Sequence, residues 1–396
     1  MGNLGVGIVI QIVGWMVALA WVVRVVGAHR GLPGVPDLLR AEYDLEPAGL
    51  PGVTVIVPAR NEAKDIRACL ESLVRQDYAG LRVLAVNDRS TDATGAVMDE
   101  LAGEWPERLR VLHIEELPAG WLGKTHAMAK AAAVAGTEFL LFTDGDILFR
   151  EDAVRRALAN AVATGADHLV LVPTTIIHRW DEAGLLSFFQ IFGLWAARPW
   201  KVADERAQDA IGIGAFNLIR AEAYRRIGGF ESFPMEIVED LGLARRVKWA
   251  GLKQRVAVGR GMVRVHWAAG ARGLIGVMTK NVFSAFNFHI SLLLLGCLWL
   301  TVFCVAPFFA VLVPGLRVQA MVSVVAIAYA YVLMSRPSGL SPWNALLAPF
   351  AASLFVYTLL RSMVATLARG GVVWRDTFYS LQELRSHMVP LVRRRR

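Results

Sequence analysis

A pair of aspartates separated by one glycine, Asp144-Gly145-Asp146, follows an uncharged apolar run at residues 139–142. A run of this length is typical of a buried strand, so both carboxylates would leave its end together. Carboxylate oxygens suit Mg²⁺ or Mn²⁺, and such an ion commonly takes one or two protein carboxylates while substrate phosphates complete its shell. A strand that ends in an Asp-Gly turn explains the same residues equally well. The pair alone leaves both interpretations open.

The chain before this pair alternates between strand-like and helix-like segments. The predicted strands are residues 53–57, 81–86, 108–114 and 138–143, and the predicted helices are residues 62–76, 92–101 and 124–135. Strands that alternate with helices indicate a parallel sheet, whose ligands bind at the carboxyl ends of the strands. Because residues 60–62, Asp88 and the aspartate pair each follow a strand, we expect them to converge on one edge of the sheet.

The same pattern continues with a strand at residues 167–173 and a helix-like segment at 221–227. An amphipathic helix at 238–249 opens with Glu239-Asp240. The helix dipole favours acids at a helix N-terminus, which is a structural explanation that competes with a role in chemistry.

An apolar segment near the N-terminus predicts a membrane anchor. Only 19% of the 396 residues are charged, against about a quarter in soluble proteins. Residues 4–26 contain only Gln11 and Arg24 as strongly polar side chains, and a helix of that length, roughly 35 Å, crosses a bilayer. Basic residues follow this segment and none precedes it. This order predicts an uncleaved anchor with its N-terminus outside and the next segment in the cytosol.

The C-terminal third contains further apolar segments. Residues 290–333, broken at Pro314-Gly315, predict a hairpin of two spans, and residues 343–368 give a third candidate. Three spans would place residues 369–396 outside, yet this tail is rich in arginine and the positive-inside rule favours the cytosol. Either the last segment is re-entrant or the rule fails here. Residues 185–195 are almost wholly apolar but too short to span, which favours a helix at the membrane surface over a core helix. We expect residues 277–288 at the membrane surface as well.

The charge and the cysteines exclude some classes of protein. The net charge of +8 lies largely beside the predicted membrane segments, and no basic stripe alternates with aromatic residues. Binding to anionic lipid head groups explains this distribution better than binding to nucleic acid. The three cysteines lack the spacing of metal ligands, which indicates packing roles.

Three similar motifs do not fit. Residues 118–125 approach a phosphate-binding P-loop, but Pro118 stands where the pattern needs glycine. The aspartate pair also resembles the nucleophile loop of haloacid-dehalogenase phosphatases, but that loop normally opens its domain and carries Thr or Val at the position of Leu148. No glycine triplet follows the first strand, so a dinucleotide-binding fingerprint is absent from the sequence.

Five short motifs in one order do fit a family. They are Val57-Pro58-Ala59-Arg60-Asn61-Glu62, Val86-Asn87-Asp88-Arg89-Ser90-Thr91-Asp92, Gly123-Lys124, Asp144-Gly145-Asp146 and Glu239-Asp240. Over residues 53–251 the chain resembles the membrane-bound family 2 glycosyltransferases. Within them it is most similar to the branch of ceramide glucosyltransferase and the hopanoid- and carotenoid-associated enzymes. The motifs that favour this branch are Gly120-Trp121-x-Gly123-Lys124, Gly214-Ala215-Phe216-Asn217, Gly228-Gly229-Phe230, Lys280-Asn281 and Trp374-Arg375-x-x-x-Tyr379.

The resemblance implies an α/β fold of the nucleotide-sugar-binding GT-A type: a mostly parallel sheet flanked by helices, with transmembrane helices at both ends. It also implies roles for individual residues. The nucleotide-sugar pocket would be lined by Pro58, Ala59, Arg60, Glu62, Asp88, Lys124 and Asp144. Lys124 would lie near the diphosphate, and Asp88 would accept a hydrogen bond from the base. Asp144 and Asp146 would hold a Mg or Mn cation, and Asp240 would be the catalytic base with Glu239 in support.

The chemistry of sugar transfer needs these residue types. A metal ion and a lysine would neutralise the charge that develops on a diphosphate leaving group. A carboxylate must take the proton of an acceptor hydroxyl during attack. One base without a protein nucleophile implies a single displacement that inverts the anomeric carbon. The Gln-x-x-Arg-Trp motif of processive synthases is missing, and only His266-Trp267 resembles a remnant that could contact an acceptor.

These observations predict one cytosolic catalytic domain anchored to the inner membrane by several spans. The predicted segments are an anchor (1–30), a linker (31–52), the glycosyltransferase domain (53–270), an interfacial helix (271–289), C-terminal transmembrane helices (290–368) and a basic tail (369–396). The predicted reaction moves one sugar, with UDP-sugar as the expected donor, to a hydroxyl of a membrane lipid. A processive polysaccharide synthase and a non-catalytic membrane component remain alternatives. The sequence leaves the sugar, the lipid and the oligomeric state undetermined.

Overall fold

The computed structural model describes residues 2–375 and 377–387. Its strands are β1 (Val53–Ala59), β2 (Leu81–Asp88), β3 (Leu109–Ile114), β4 (Phe139–Phe142), β5 (Leu148–Phe149), β6 (His168–Val172), β7 (Thr174–Thr175), β8 (Asn217–Arg220), β9 (Gln254–Val258), β10 (Val263–Val265), β11 (Gly371–Trp374) and β12 (Thr377–Ser380). Its helices are α1 (Gly2–Gly31), α2 (Ile66–Val74), α3 (Thr94–Glu104), α4 (Gly123–Val134), α5 (Ala153–Ala163), α6 (Trp180–Ala196), α7 (Ala221–Arg226), α8 (Glu239–Trp249), α9 (Gly270–Asn281), α10 (Ile290–Leu300), α11 (Ala306–Ala310), α12 (Arg317–Ser338), α13 (Ala348–Arg369) and α14 (Leu381–Ser386).

These elements form two compact units. The sheet unit comprises Val35–Ile176, Lys201–Trp267 and Gly371–Arg396, and the helical unit comprises Met1–Gly34, Ile177–Trp200 and Ala268–Gly370. The sheet unit therefore begins within the predicted linker. Leu38 is fully buried in its core, and the backbone N–H of Leu38 donates to the carbonyl of Val258 at 2.8 Å.

The centre of the sheet unit is a seven-stranded sheet in the order β3-β2-β1-β4-β8-β6-β9. Neighbouring strands are parallel except at β8, which runs antiparallel to both β4 and β6. The expectation of a mostly parallel sheet is confirmed. Because β2, β1 and β4 are neighbours that run in the same direction, their carboxyl ends lie side by side at one edge.

Helices cover both faces of this sheet. Every residue of β1 is buried, as its β-branched, nearly continuous apolar sequence predicts. Val53, Val55 and Val57 join the core that includes apolar side chains of α2, α3 and α5, whereas Ile56 joins the core formed with α4, α7 and α8. Helices therefore pack against β1 on both faces of the sheet.

Among the residues that the structure describes, the helical unit contains four segments long and apolar enough to cross a membrane: Val6–Gly34, Ile290–Ala310, Pro314–Ser338 and Pro342–Arg369. They correspond to the anchor and the three C-terminal candidates expected from the sequence. A π-helical stretch at Thr301–Val305 joins α10 to α11.

Hydrogen bonds between helices fix the packing of this unit. The side chain of Gln319 on α12 donates to that of Gln11 on α1 at 2.6 Å, and Tyr329 on α12 hydrogen-bonds His29 on α1 at 2.8 Å. Because both residue numbers increase between these two contacts, α1 and α12 run in the same direction.

The predicted surface segment at residues 185–195 lies in α6, where the buried Glu182 accepts a hydrogen bond from the backbone N–H of Gly270 at the start of α9.

The strands β11 and β12 form an antiparallel hairpin that follows the last apolar helix. We define residues Gly371–Ser380 as the C-terminal hairpin. It belongs to the sheet unit, although the sequence predicted only a basic tail there. The final arginines, residues 393–396, lie outside the described part of the chain.

Candidate functional site

Lys124 joins two of the sequence motifs. It lies in the first turn of α4, and its Nζ is 2.5 Å from Oδ1 of Asp144 and 2.5 Å from Oε1 of Glu239. The side chains of Lys124 and Glu239 are only 12% and 9% exposed. Buried charges are costly unless they are paired, so one lysine holds the end of β4 and the start of α8 together.

The charges of this cluster shift one another's pKa values. Burial disfavours a charged Lys124, but the carboxylates of Asp144 and Glu239 raise its pKa above the ordinary value, so the amine stays charged. Burial also disfavours ionised Asp144, yet the neighbouring ammonium group lowers its pKa. At Glu239 burial outweighs the same ammonium group and raises the pKa to about 7. The lysine and Asp144 therefore form the stable ion pair, whereas Glu239 changes charge near neutral pH.

Asp240 is positioned by backbone groups. Its Oδ1 accepts a hydrogen bond from the N–H of Leu241 at 2.7 Å, and the N–H of Gly214 also donates to its carboxylate. Burial raises the pKa of this carboxyl above its ordinary value. A carboxylate that is held in place and has a raised pKa is suited to accept a proton. A cavity at this point is lined by Lys124, Met128, Phe142, Thr143, Gly214, Asn217, Phe230, Glu239, Asp240 and Leu243.

The loop before β8 must approach these acids closely, which requires glycine. A Cβ atom at Gly214 would lie 2.6 Å from Oδ2 of Asp144 and 3.5 Å from Nζ of Lys124. A Cβ atom at Gly212 would overlap the backbone carbonyl of Asp240. The two glycines therefore let the backbone pass between Asp144 and Asp240. The sequence provided Gly214 only as part of a family motif, without a position in the site.

Asp88 lies at the end of β2 and is fully buried. Its carboxylate accepts two hydrogen bonds from the guanidinium of Arg89, at 2.7 and 3.1 Å. A Cβ atom at Gly123 would collide with this pair, so Asp88 packs directly against the first residue of α4. Each carboxylate oxygen has a second lone pair, so Asp88 can accept a further hydrogen bond. The hydrogen bond that we expect from a nucleobase stays a prediction.

The segment after β1 connects to the segment after β2. Pro58 and Ala59 end β1, and Asn61 has a left-handed backbone with φ of 56°. Its Oδ1 accepts a hydrogen bond from the backbone N–H of Thr91 at 2.8 Å. Nε and Nη1 of Arg60 are buried without a hydrogen-bond partner among the described residues. Such donors are normally satisfied, so Arg60 is suited to bind an anionic ligand.

The aspartate pair and Glu62 repel one another. Burial, together with the charges of Asp144 and Glu62, raises the pKa of Asp146 to about 7. Among the described residues, no group of three or more His, Cys, Asp or Glu side chains could hold a metal ion. Two carboxylates nevertheless match a Mg²⁺ or Mn²⁺ ion whose other ligands are phosphates and water, and a cation would relieve the repulsion. The donor set of Asp144 and Asp146 therefore fits such an ion.

His266 and Trp267 directly follow β10 and are half-buried. The strand β10 pairs with β5, which begins two residues after Asp146. Their contact with an acceptor stays a prediction.

Sequence reasoning also missed Arg375 in the C-terminal hairpin, whose Nη2 lies 3.6 Å from Oε1 of Glu62. Its motif was visible, but nothing in the sequence connected it to Glu62.

The chain is similar to proteins of known type. Residues 54–228 match the family model for glycosyl transferase family 2. The 4,4'-diaponeurosporenoate glycosyltransferase of Staphylococcus aureus (strain MRSA252) is 28% identical over 193 residues, which are 48% of this chain and 50% of the relative. The chain thus spans about half the length of the curated relatives it matches.

A solved structure shows the same fold. The mannosyltransferase PcManGT from Pyrobaculum calidifontis, in complex with GDP-Man and Mn²⁺, aligns with 89% of this chain and 99% of its own, with a TM-score of 0.50 and 20% identity. This likeness bears on the fold alone, and it confirms the GT-A type expected from the resemblance. The sheet topology, the order of the motifs and the match over residues 54–228 agree. These findings identify residues 54–228 of the chain as a glycosyl transferase family 2 domain.

Proposed function

We propose that the protein transfers a single sugar from a nucleoside diphosphate sugar to a membrane lipid, with inversion at the anomeric carbon. The observation that carries this proposal is the cluster in which Lys124 joins Asp144 to Glu239 beside the cavity that Asp240 lines. The names of similar proteins support the two substrate classes. One solved neighbour holds GDP-Man with Mn²⁺, and a curated relative acts on diaponeurosporenoate, a carotenoid. A UDP-sugar is the donor we expect from the family resemblance.

Negative charge develops on the diphosphate when the bond to the sugar breaks. Lys124 is charged and fixed by two carboxylates, so it is suited to stabilise that charge without reorganisation. A Mg²⁺ or Mn²⁺ ion bound by Asp144 and Asp146 would supply further positive charge to the phosphates. Arg60, with its unsatisfied guanidinium nitrogens, is a further group suited to bind the donor.

The acceptor hydroxyl must lose a proton as it attacks the sugar. Asp240 is the proposed base, because backbone N–H groups hold its carboxylate and burial raises its pKa. Glu239 contributes indirectly by positioning Lys124. A single attack from the face opposite the leaving diphosphate inverts the anomeric configuration. An α-linked donor would therefore give a β-linked product.

The acceptor class decides whether a base is needed. The relative's name specifies a carboxylate acceptor, and a carboxylate has no proton to lose at neutral pH. Purified full-length protein should be assayed with UDP- and GDP-sugars, Mn²⁺ and two lipid acceptors, one with a hydroxyl and one with a carboxylate. We expect one sugar on the hydroxyl lipid, with inversion shown by the anomeric coupling in the NMR spectrum of the product. Polymer products would favour a processive synthase, and transfer only to soluble acceptors would contradict the proposal.

The membrane location is part of the proposal. The helical unit contains four apolar segments, of which three lie between residues 268 and 370. The chain leaves the sheet unit at Trp267 and returns to it at Gly371. If the sheet unit is cytosolic, as the basic residues after the first span predict, the chain crosses the bilayer an even number of times between these points. Only two of the three segments then cross completely, and the basic tail is cytosolic as well.

Cysteine labelling in intact cells tests this topology. The native cysteines, Cys69, Cys297 and Cys304, are all buried. Ser386→Cys places an exposed thiol in α14, and Leu312→Cys places one in the turn between α11 and α12, where Leu312 is 76% exposed. A membrane-impermeant maleimide should label Leu312→Cys and leave Ser386→Cys unlabelled until the cells are opened. Labelling of Ser386→Cys in intact cells would place the tail outside.

A further inference from the structure

The C-terminal hairpin reaches the acidic end of the site through Arg375. This residue occupies the turn between β11 and β12 with a left-handed backbone, φ of 46°. Such a conformation is unfavourable for a residue with a Cβ atom and persists where the surroundings enforce it. The Arg375 side chain is only 22% exposed, and its Nη2 lies 3.6 Å from Oε1 of Glu62. Burial raises the pKa of Glu62, and the charge of Arg375 opposes this shift. The same charge adds to the effect of Lys124, which lowers the pKa of Asp144 against the effect of burial.

The pairing with Glu62 does not satisfy the guanidinium. A separation of 3.6 Å exceeds a normal hydrogen bond. Nη1 of Arg375 is buried and has no hydrogen-bond partner within the described part of the chain. A purely structural ion pair would leave this donor desolvated without compensation. The guanidinium therefore has hydrogen-bonding capacity that none of the described residues uses.

A second residue of the hairpin contacts the other end of the site. Tyr379 is buried, and its phenol oxygen accepts a hydrogen bond from the backbone N–H of Gly123. Gly123 precedes Lys124 and packs against Asp88 and Arg89. Two residues of one hairpin, Arg375 and Tyr379, thus connect the Asp144 end with the Asp88 end.

We propose that the C-terminal hairpin is a component of the donor site, in which Arg375 binds the diphosphate and Tyr379 fixes the hairpin to the start of α4. A planar guanidinium donates two parallel hydrogen bonds to phosphate oxygens, which a lysine cannot do. The group lies near Asp144, the predicted metal ligand, so it would face the same phosphates as a bound cation. This inference rests on the proposed function, because it assumes a nucleoside diphosphate donor.

Binding of a graded set of ligands tests the role of Arg375. Isothermal titration calorimetry with the full-length protein in detergent and Mn²⁺ should compare UDP, UMP and uridine, with GDP and guanosine as a second series. Arg375→Gln should weaken UDP binding by about ten- to a hundredfold, because charge-assisted hydrogen bonds to the phosphates are lost. Uridine affinity should stay unchanged. Arg110→Gln, which removes an exposed arginine from β3, is the matched control and should change neither affinity.

Two further variants separate ligand binding from folding. Arg375→Lys keeps the positive charge beside Glu62 but loses the planar fork, so we expect a smaller loss of UDP affinity and an unchanged melting temperature. Tyr379→Phe removes the acceptor for the N–H of Gly123 and should weaken UDP binding only a few-fold. If Arg375→Gln does not fold, the Arg375→Lys result decides the question.

The outcomes distinguish the two levels of the proposal. Equal losses for UDP and uridine in Arg375→Gln, or no loss at all, would show that Arg375 is structural and would overturn this inference while the proposed function stands. Failure of the wild-type protein to bind either UDP or GDP would overturn the proposed function itself, and this inference with it.

Discussion

The two ends of the candidate site have opposite charge balance. At one end, the carboxylate of Asp88 is matched by the guanidinium of Arg89 through two hydrogen bonds. At the other end, Lys124 is shared between Asp144 and Glu239, while Asp146 adds a further carboxylate. The end at Asp88 is electrically neutral, and the end at Asp144 carries an excess of negative charge.

This difference indicates which ligand groups each end can accept. A satisfied ion pair gains little from another charge but can still hydrogen-bond a neutral group such as a nucleobase. Burial, with a smaller contribution from the neighbouring carboxylates, raises the pKa values of Asp146 and Glu239 to about 7. Such a site gains most from a cation. The proposed orientation of the donor, with its base at Asp88 and its metal-bound phosphates at Asp144, follows from this contrast.

The largest effect should come from Asp240, whose role is chemical. Asp240→Asn keeps the size of the side chain but removes the base, and we expect kcat on a hydroxyl acceptor to fall by about a thousandfold. UDP affinity should stay within the error of the measurement. Glu222→Gln, on the exposed side of α7, is the control with the same chemical change. Unchanged turnover in Asp240→Asn would show that Asp240 is not the base or that the acceptor is a carboxylate, and the paired lipid assay separates these.

The next effect concerns the shared lysine. Lys124→Met leaves Asp144 and Glu239 without their cation, and breaking a buried pair should lower the free energy of unfolding by about 3 kcal/mol. The loss should be smaller at about pH 5 than at about pH 8, because protonation of Glu239 removes one of the unpaired charges. Urea denaturation at both pH values measures it. Lys130→Met, an exposed position on the same helix, should cost little, and an equal loss there would show that the charge balance at Lys124 is unimportant.

A smaller effect should distinguish the two ends directly. Asp88→Asn removes the charge that orients Arg89, and we expect uridine and UDP affinity to fall together by about tenfold. Asp144→Asn should weaken UDP in the presence of Mn²⁺ and leave uridine unaffected. Asp99→Asn on the exposed side of α3 is the control. If Asp88→Asn leaves uridine binding unchanged, the proposed orientation of the donor is wrong.

The sequence predicted the strand ends well for a physical reason. A strand that is buried on both faces must be apolar throughout, as β1 is, so the first polar residues mark the point where it reaches the edge. From this rule alone, the sequence placed residues 60–62, Asp88 and Asp144 at one edge of the sheet. The four residues of β8 are too few to stand out, and its antiparallel position depends on its partners β4 and β6.

Contacts between distant parts of the chain were beyond sequence reasoning. The pairing of Arg375 with Glu62 joins residues more than 300 positions apart, and the motif that contains Arg375 gave no link to Glu62. The close approach of Gly214 to Asp144 depends on how β8 is placed. In the helical unit, composition predicted the four apolar segments, whereas the contact of Ser362 on α13 with Phe283 and Thr279 depends on helix packing.

The smallest predicted effect is a dependence of stability on pH that arises at the acidic end. Burial raises the pKa of Glu239 from an ordinary value of 4.5 to about 7, so the folded protein binds this proton more tightly than the unfolded chain. The contribution of Glu239 to the free energy of unfolding should then be greatest below about pH 4.5 and should fall as the pH rises toward 7. Asp146 contributes in the same direction. Glu239→Gln and Asp146→Asn should each reduce this slope, and Glu222→Gln should preserve it.

Addition of Mn²⁺ should flatten the slope as well, because a cation bound by Asp144 and Asp146 favours the ionised form that burial disfavours. A slope that neither substitution nor Mn²⁺ reduces would mean that the acidic end has no charge excess, and the contrast between the two ends would fail.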